Sequence, residues 1–285
     1  MLYVPENLFD LKAEIHSWKE KREIVGFIPT MGNLHNGHLS LISEIKKYGA
    51  TKTIVSIFVN PTQFGPGEDF KEYPRTIESD IKLLEKLEVD CVFCPDVKEI
   101  YQGQERSQIV INNPSLMGEL CGKYRPGHFN GVLLVVNKLL NIIQPDMSIF
   151  GQKDYQQFIL IKDMVRQLFM PVDIIMAPII REYDGLAMSS RNSYLNQDER
   201  SKANKLYVSL SNASKKLREN HMSPETIVQM EMDRMSEIGL NVEYFELRKT
   251  NNLSSIEVYK YKKDEYVLLG AVKLGTTRLI DNIIL

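Results

Sequence analysis

The stretch Ile24-Val25-Gly26-Phe27-Ile28-Pro29-Thr30-Met31-Gly32-Asn33-Leu34-His35-Asn36-Gly37-His38 decides how the rest of the chain is read. Residues 24–28 form a short apolar run with the composition of a buried strand. Leu39, Leu41, Ile42 and Ile45 follow at helical spacing. Between strand and helix lies a turn with two glycines and two histidines. Gly32 and Gly37 permit tight backbone geometry and the close approach of a phosphate. A helix starting near His38 points free amides and its positive dipole end at that phosphate. Two histidines add donors that stabilise charge developing on phosphate oxygens during a displacement. Helix capping is the plainer account of one such histidine. A His-x-Gly-His turn after a strand points instead to ATP phosphate handling.

Outward from this unit the alternation continues. Leu8, Leu11, Ile15 and Trp18 precede it at helical spacing. A strand is expected at 51–59, then a helix carrying Ile77, Ile81, Leu84 and Leu87. Strands at 91–93 and 108–111, a helix at 132–143, a strand at 147–150, a helix at 156–168 and a strand at 172–177 follow. Such alternation means an α/β fold, a Rossmann-like parallel sheet with helices on both faces. Ligands bind such sheets beyond the carboxyl ends of the strands. Chemistry is therefore expected just after Ile28, Val59, Phe150 and Ala177. The pattern changes near 181–196. Helices at 198–220 and 224–238, then strands at 242–247, 265–272 and 277–280, read as a smaller C-terminal α+β domain. The expected division is residues 1–182 and residues 183–285.

Composition is that of an ordinary soluble globular protein: 285 residues, 43% hydrophobic and 25% charged, with a formal charge of −2. That balance gives no general drive toward nucleic acid or anionic membrane. Residues 1–6 lack a basic, then apolar, secretion signal, and no window approaches a membrane span. The three cysteines, Cys91, Cys94 and Cys121, argue against a disulfide scaffold and fit a reducing, cytoplasmic setting. Cys91 and Cys94 have CxxC spacing, but no second ligand pair is visible, so they read as core.

Other segments have readings of their own. Asn60 and Gln63 follow the 51–59 strand, where neutral amides can bind hydroxyls and a carboxylate without neutralising it. An Asn-Pro turn with a solvated Gln63 is the alternative. Gly151-Gln152-Lys153-Asp154 ends the 147–150 strand. Lys153 can place a cation on phosphates, and Asp154 can orient a metal-bound water or a sugar hydroxyl. A solvated Lys-Asp pair at a helix start is equally consistent. Gln157 lies one turn further on, on the side of Lys153, and could face Gln63 across one pocket. Met188-Ser189-Ser190-Arg191 offers two hydroxyls and a guanidinium, a phosphate clamp or a plain surface loop. His128, in Arg125-Pro126-Gly127-His128-Phe129, either meets ligand or orders its loop.

The His-x-Gly-His turn resembles that of class I aminoacyl-tRNA synthetases and nucleotidylyltransferases. Six segments in order resemble the pantothenate synthetase (pantoate–β-alanine ligase) family: residues 29–38, 59–64, 73–75, 125–129, 150–157 and 188–192. The resemblance spans essentially the whole chain. It implies ATP-dependent condensation of (R)-pantoate with β-alanine through a pantoyl adenylate. It implies ATP binding at Met31, Gly32, Asn33, Leu34, His35, Asn36, Gly37, His38, Gly151, Gln152, Lys153, Asp154, Ile180, Met188, Ser189, Ser190 and Arg191. Gln63, Gln157, Asn60, Tyr73 and His128 would serve pantoate and β-alanine, and His38, His35 and Lys153 the chemistry. Mg²⁺ would be bound mainly through ATP phosphates, residues 183–285 would act as a lid, and the protein would be a cytoplasmic homodimer.

The competing enzyme is a nucleotidylyltransferase acting on a phosphorylated small molecule. That substrate calls for extra Lys or Arg in the acceptor pocket, whereas Gln63 and Gln157 are neutral. An RNA-binding module would show a basic stripe among exposed aromatics. The basic residues here alternate with acids, as in Lys260-Tyr261-Lys262-Lys263-Asp264-Glu265, and no nucleic-acid or membrane partner is expected.

Overall fold

β1 (Val25–Thr30) runs straight into the histidine turn and then α2 (Asn36–Lys47), with α1 (Leu8–Glu20) before it. The computed structural model describes residues 2–102, 109–219 and 221–285. Next come β2 (Lys52–Ile57), a 3₁₀ turn at Pro61–Gln63, α3 (Ile77–Lys86), β3 (Cys91–Phe93) and α4 (Val97–Tyr101). α5 (Pro114–Met117), α6 (Leu120–Tyr124), α7 (His128–Ile143), β4 (Met147–Gly151), α8 (Tyr155–Gln167) and β5 (Asp173–Ala177) complete this half. By compactness the chain divides into a larger unit, Met1–Gly151 with Leu160–Ala177, and a smaller one, Gln152–Ile159 with Pro178–Leu285.

The larger unit's sheet has strand order β3-β2-β1-β4-β5, parallel throughout. The order reverses between β1 and β4, and such a switch point opens a ligand crevice at the carboxyl ends. β1 leads there into the histidine turn, and Gln152–Asp154 follow β4 in the chain. Ile28, Val55, Val92 and Ile149 form the core under α2, which buries Leu41, Ile42 and Ile45. α7 buries eleven residues, and Asn137, Lys138 and Asn141 mark its more open side. It begins at His128, four residues before the apolar run that announced it.

The smaller unit holds α9 (Gln197–Ala203), α10 (Lys205–Glu219), α11 (Pro224–Glu237), β6 (Asn241–Lys249), β7 (Tyr266–Leu274) and β8 (Thr277–Ile284). Its three strands form an antiparallel sheet in the order β6-β7-β8. Leu206, Leu210, Ala213 and Leu217, on one face of α10, join Leu268, Val272 and Leu279 in its core.

Two expectations need correction. Of the strand read at 108–111, Gln108 lies outside the described residues, and 109–111 are not strand. β-propensity measures fit to a half-buried pleat, whereas Ile109 and Val110 are exposed. The helix read over 198–220 is two helices broken at Asn204; its last residue, Asn220, lies outside the described residues. Asn204 there donates to the Asp184 carbonyl at 3.3 Å, a bond that helical periodicity does not reveal.

Candidate active site

The histidine turn owes its shape to backbone geometry and one buried acid. Gly32 (φ 79°) and Asn33 (φ 49°) both lie in the left-handed region, natural for glycine and tolerated by asparagine. A Cβ on Gly32 would lie 3.0 Å from Ile57 and 3.1 Å from Asp80. Thr30 Oγ1 donates to the Ser56 carbonyl and accepts from Gly32 N. Asp80, 2% exposed, accepts from Asn33 N and Leu34 N at 2.9 Å each, and from Thr76 Oγ1 at 3.0 Å.

Both histidines cap α2, and the cap decides their chemistry. His35 Nδ1 accepts from Gly37 N at 3.1 Å, and His38 Nδ1 accepts from His35 N at 3.4 Å. Their ring centroids are 4.1 Å apart. A backbone N–H can only donate, so each neutral ring carries its proton on Nε2. The cap thus engages Nδ1 of each ring and fixes the proton on Nε2.

Gln63 is held by a network. Its Oε1 accepts from Asn60 Nδ2 at 3.0 Å, and its Nε2 donates to Met31 Sδ at 3.0 Å. Asn60, 1% exposed, gives its other Nδ2 hydrogen to the Gly131 carbonyl. Asn60 Oδ1 accepts from Tyr101 OH and from Thr62 Oγ1 and N. Asn60 therefore orients Gln63 with its own amide fully engaged. His128 is buried; its Nδ1 donates to the Gln63 carbonyl at 2.8 Å, and its Nε2 accepts from Arg125 Nη1 at 2.9 Å. Both ring nitrogens have protein partners, the arrangement of a loop-ordering histidine. Tyr73 is buried with its ring edge-on to Phe64, 5.9 Å between centroids.

Arg125 also grips Glu68 in a bidentate pair of 2.8 and 2.6 Å. Burial pushes the Glu68 carboxyl up, but hydrogen bonds and charge from Arg125 outweigh it and hold the pKa at about 2. The folded value lies below the ordinary 4.5, so this pair stabilises above pH 4.5 and is lost as pH falls toward 2. At full strength the effect is about 3 kcal/mol at most. In denaturation titrations, the stability advantage of the native chain over Glu68→Gln should hold from pH 8 to 5 and shrink below. An advantage independent of pH would remove the ion pair as its cause.

The smaller unit presents the other predicted residues. Gln152–Asp154 is a 3₁₀ turn, with Lys153 Nζ 3.7 Å from Asp154 Oδ2. Gln157 is half-buried in the first turn of α8. The Ile180 carbonyl accepts from Met188 N at 3.0 Å, closing a hairpin bridged at Arg181 and Ala187. Ser189 caps the 3₁₀ turn Ser190–Tyr194 by accepting from Arg191 N. Arg181 forms a double ion pair with Asp281 and stacks 3.9 Å above the Tyr207 ring. Burial pushes the Asp281 carboxyl up from its ordinary value, opposed by the Arg181 guanidinium.

The predicted residues thus gather in two constellations. His35, His38, Met31, Asn60, Gln63 and His128 lie in the larger unit; Lys153, Gln157 and Ser189–Arg191 lie in the smaller. Sequence reasoning did not find Asp80, Gly131, Tyr101, Asp281 or Asn282. Only Asp80 left a faint sign, an acid inside the apolar periodicity of α3. Cys91 is buried with its thiol pushed up to about 12 by burial, and Cys94 likewise to about 11, as core residues rather than thiolate ligands. Among the described residues no group of three His, Cys, Asp or Glu could hold a metal ion. Among the described residues, no helix is long and apolar enough to cross a membrane.

The family described as pantoate-beta-alanine ligase matches residues 4–284. The chain belongs to the pantoate–β-alanine ligase family. Within it, the chain is 45% identical over 273 residues to pantothenate synthetase of Acinetobacter baumannii, covering 96% of this chain and 94% of that protein. It is 42% identical over 284 residues to that of Hydrogenovibrio crunogenus, covering 99% of each. The crystal structure of pantothenate synthetase from Thermus thermophilus superposes with a TM-score of 0.90 at 35% identity, covering 99% of this chain and 98% of that one. The Francisella tularensis ligase, complexed with β-γ ATP and β-alanine, superposes with a TM-score of 0.83 at 34% identity, covering 100% and 98%.

Proposed function

We propose that the chain joins (R)-pantoate to β-alanine with cleavage of ATP, yielding pantothenate, AMP and pyrophosphate. The observation that carries the acid substrate is the Gln63 amide, a neutral donor locked beside Met31 of the phosphate turn. A carboxylate nucleophile held by amides keeps its negative charge available for attack; a strong ion pair would hold it back.

The pantoate carboxylate attacks the α-phosphorus of ATP, and pyrophosphate leaves. The Nε2–H groups of His35 and His38 stabilise the charge that develops on phosphate oxygens. Lys153, Ser189, Ser190 and Arg191 serve the same charge from the smaller unit, with Gly151, Gln152, Asp154, Ile180 and Met188 lining the nucleotide. Gln63, Gln157 and Tyr73 are assigned to pantoate, while Asn60 and His128 act through Gln63. The β-alanine amine then attacks the acyl carbon of pantoyl adenylate, and AMP departs with the electron pair of the broken bond. That second step needs positioning and exclusion of water. Mg²⁺, when bound through the phosphates of ATP, supplies charge neutralisation there. The family reading also carries a smaller unit acting as a lid, a homodimer and a cytoplasmic location.

Incubation with ATP, (R)-pantoate and β-alanine should produce AMP and pantothenate in equal amounts. Pantoate alone should support pyrophosphate–ATP exchange. No AMP in the full mixture would overturn the reading. Exchange supported by a phosphorylated acceptor and not by pantoate would favour a nucleotidylyltransferase.

A further inference from the structure

The two phosphate-directed segments of the smaller unit are tied to adjacent residues of one strand. Asn282 of β8 is 1% exposed and faces Gln152–Asp154. Its Nδ2 donates to the Gln152 carbonyl at 2.9 Å and the Lys153 carbonyl at 3.1 Å. Its Oδ1 accepts from Gln152 Nε2 at 3.0 Å. The amide's two hydrogens and its oxygen are thus all engaged by the turn that carries Lys153. Asp281, the preceding residue, holds Arg181 through both carboxylate oxygens, and its Oδ1 also accepts from Asn282 N at 2.7 Å. Arg181 sits at the root of the hairpin that ends at Ser189, and also donates to the Gly185 carbonyl at 3.0 Å. Successive strand residues point to opposite faces. Asp281 and Asn282 therefore reach two different segments from one rigid point.

We propose that Asp281 and Asn282 are positioning residues that bind the Lys153 turn and the Ser189–Arg191 loop into a single body. The two cationic groups then approach or leave a triphosphate together, at a fixed separation. A loose lysine turn would instead lose conformational entropy at each encounter with ATP. The inference rests on the proposed role of Lys153 and Arg191 at the triphosphate.

The test is a double-mutant cycle of Asn282→Ala and Lys153→Ala, with kcat and KM for ATP measured in the full reaction mixture. Asn282→Ala alone should lower kcat/KM for ATP by roughly 10- to 100-fold, the size of effect expected for a misplaced catalytic group. In the Lys153→Ala background the same substitution should cost almost nothing, because its effect runs through Lys153. Equal losses in both backgrounds would overturn the proposal. Hydrogen exchange gives a readout independent of turnover. Asn282→Ala should accelerate exchange in residues 150–158, and Asp281→Asn in 180–192, each with the rest of the chain unchanged. Unchanged or uniformly raised exchange would also overturn it. Asn282→Ser, which keeps one donor, serves if the alanine variant does not fold. A native chain that makes no AMP would remove the functional reading, and the exchange experiment would still decide the positioning claim.

Discussion

Replacing His38 by glutamine is expected to slow adenylate formation by roughly 10²–10³-fold, the usual loss for one preorganised donor at a developing oxyanion. Glutamine is chosen for a structural reason. His38 occupies the third position of α2, where its Nδ1 accepts from the His35 amide and completes a capping box. Glutamine is a natural residue at that position and restores the acceptor through its side-chain oxygen. The variant should therefore melt close to the native temperature, whereas His38→Ala should lose about 1 kcal/mol of stability as well. Pantoate-dependent pyrophosphate exchange and a thermal melt on both variants separate the two roles. Pantoate binding, measured by calorimetry, should persist in both. A glutamine variant with near-native exchange would reduce His38 to a helix cap.

Gly131→Ala should be strongly damaging, and its damage should fall on the Gln63 network. An added Cβ would sit 2.3 Å from the Thr62 carbonyl oxygen, 2.5 Å from its carbon and 2.6 Å from Gln63 N. All three are backbone atoms, so no rotamer change relieves the clash. α7 would have to retreat from Pro61–Gln63, at a cost of roughly 1–3 kcal/mol or more. The retreat would also pull the Gly131 carbonyl from Asn60 Nδ2 and the Gln63 carbonyl from His128 Nδ1. KM for pantoate should therefore rise more than KM for ATP. A native melting temperature, or equal rises in both constants, would contradict this account.

The extent to which the site was legible follows from what each residue needed. His35 and His38 are three apart and bracket a glycine at a strand–helix junction, so spacing alone exposed them. Gln63 was visible as a neutral amide after a strand, but its orientation was not. That depends on Asn60, Met31 and His128, which come from three segments. His128 could not be assigned before its partners were known. One carbonyl and one guanidinium settle its proton on Nδ1. The strand read at 108–111 failed over 109–111 because an apolar run states a preference, while burial decides whether it is used.

By itself the sequence determined the parallel α/β alternation, the place of the histidine turn after β1, and the small α+β ending. Each is written in patterns shorter than about twenty residues, the range over which periodicity, glycine and capping act. Only the tertiary structure decided what holds the turns in place. Asp80 reaches Asn33 across 47 residues, Asn60 reaches Gly131 across 71, and Asn282 reaches Gln152 across 130. No local pattern encodes such pairs. Folding creates them, because buried polar groups must find partners wherever the chain brings them.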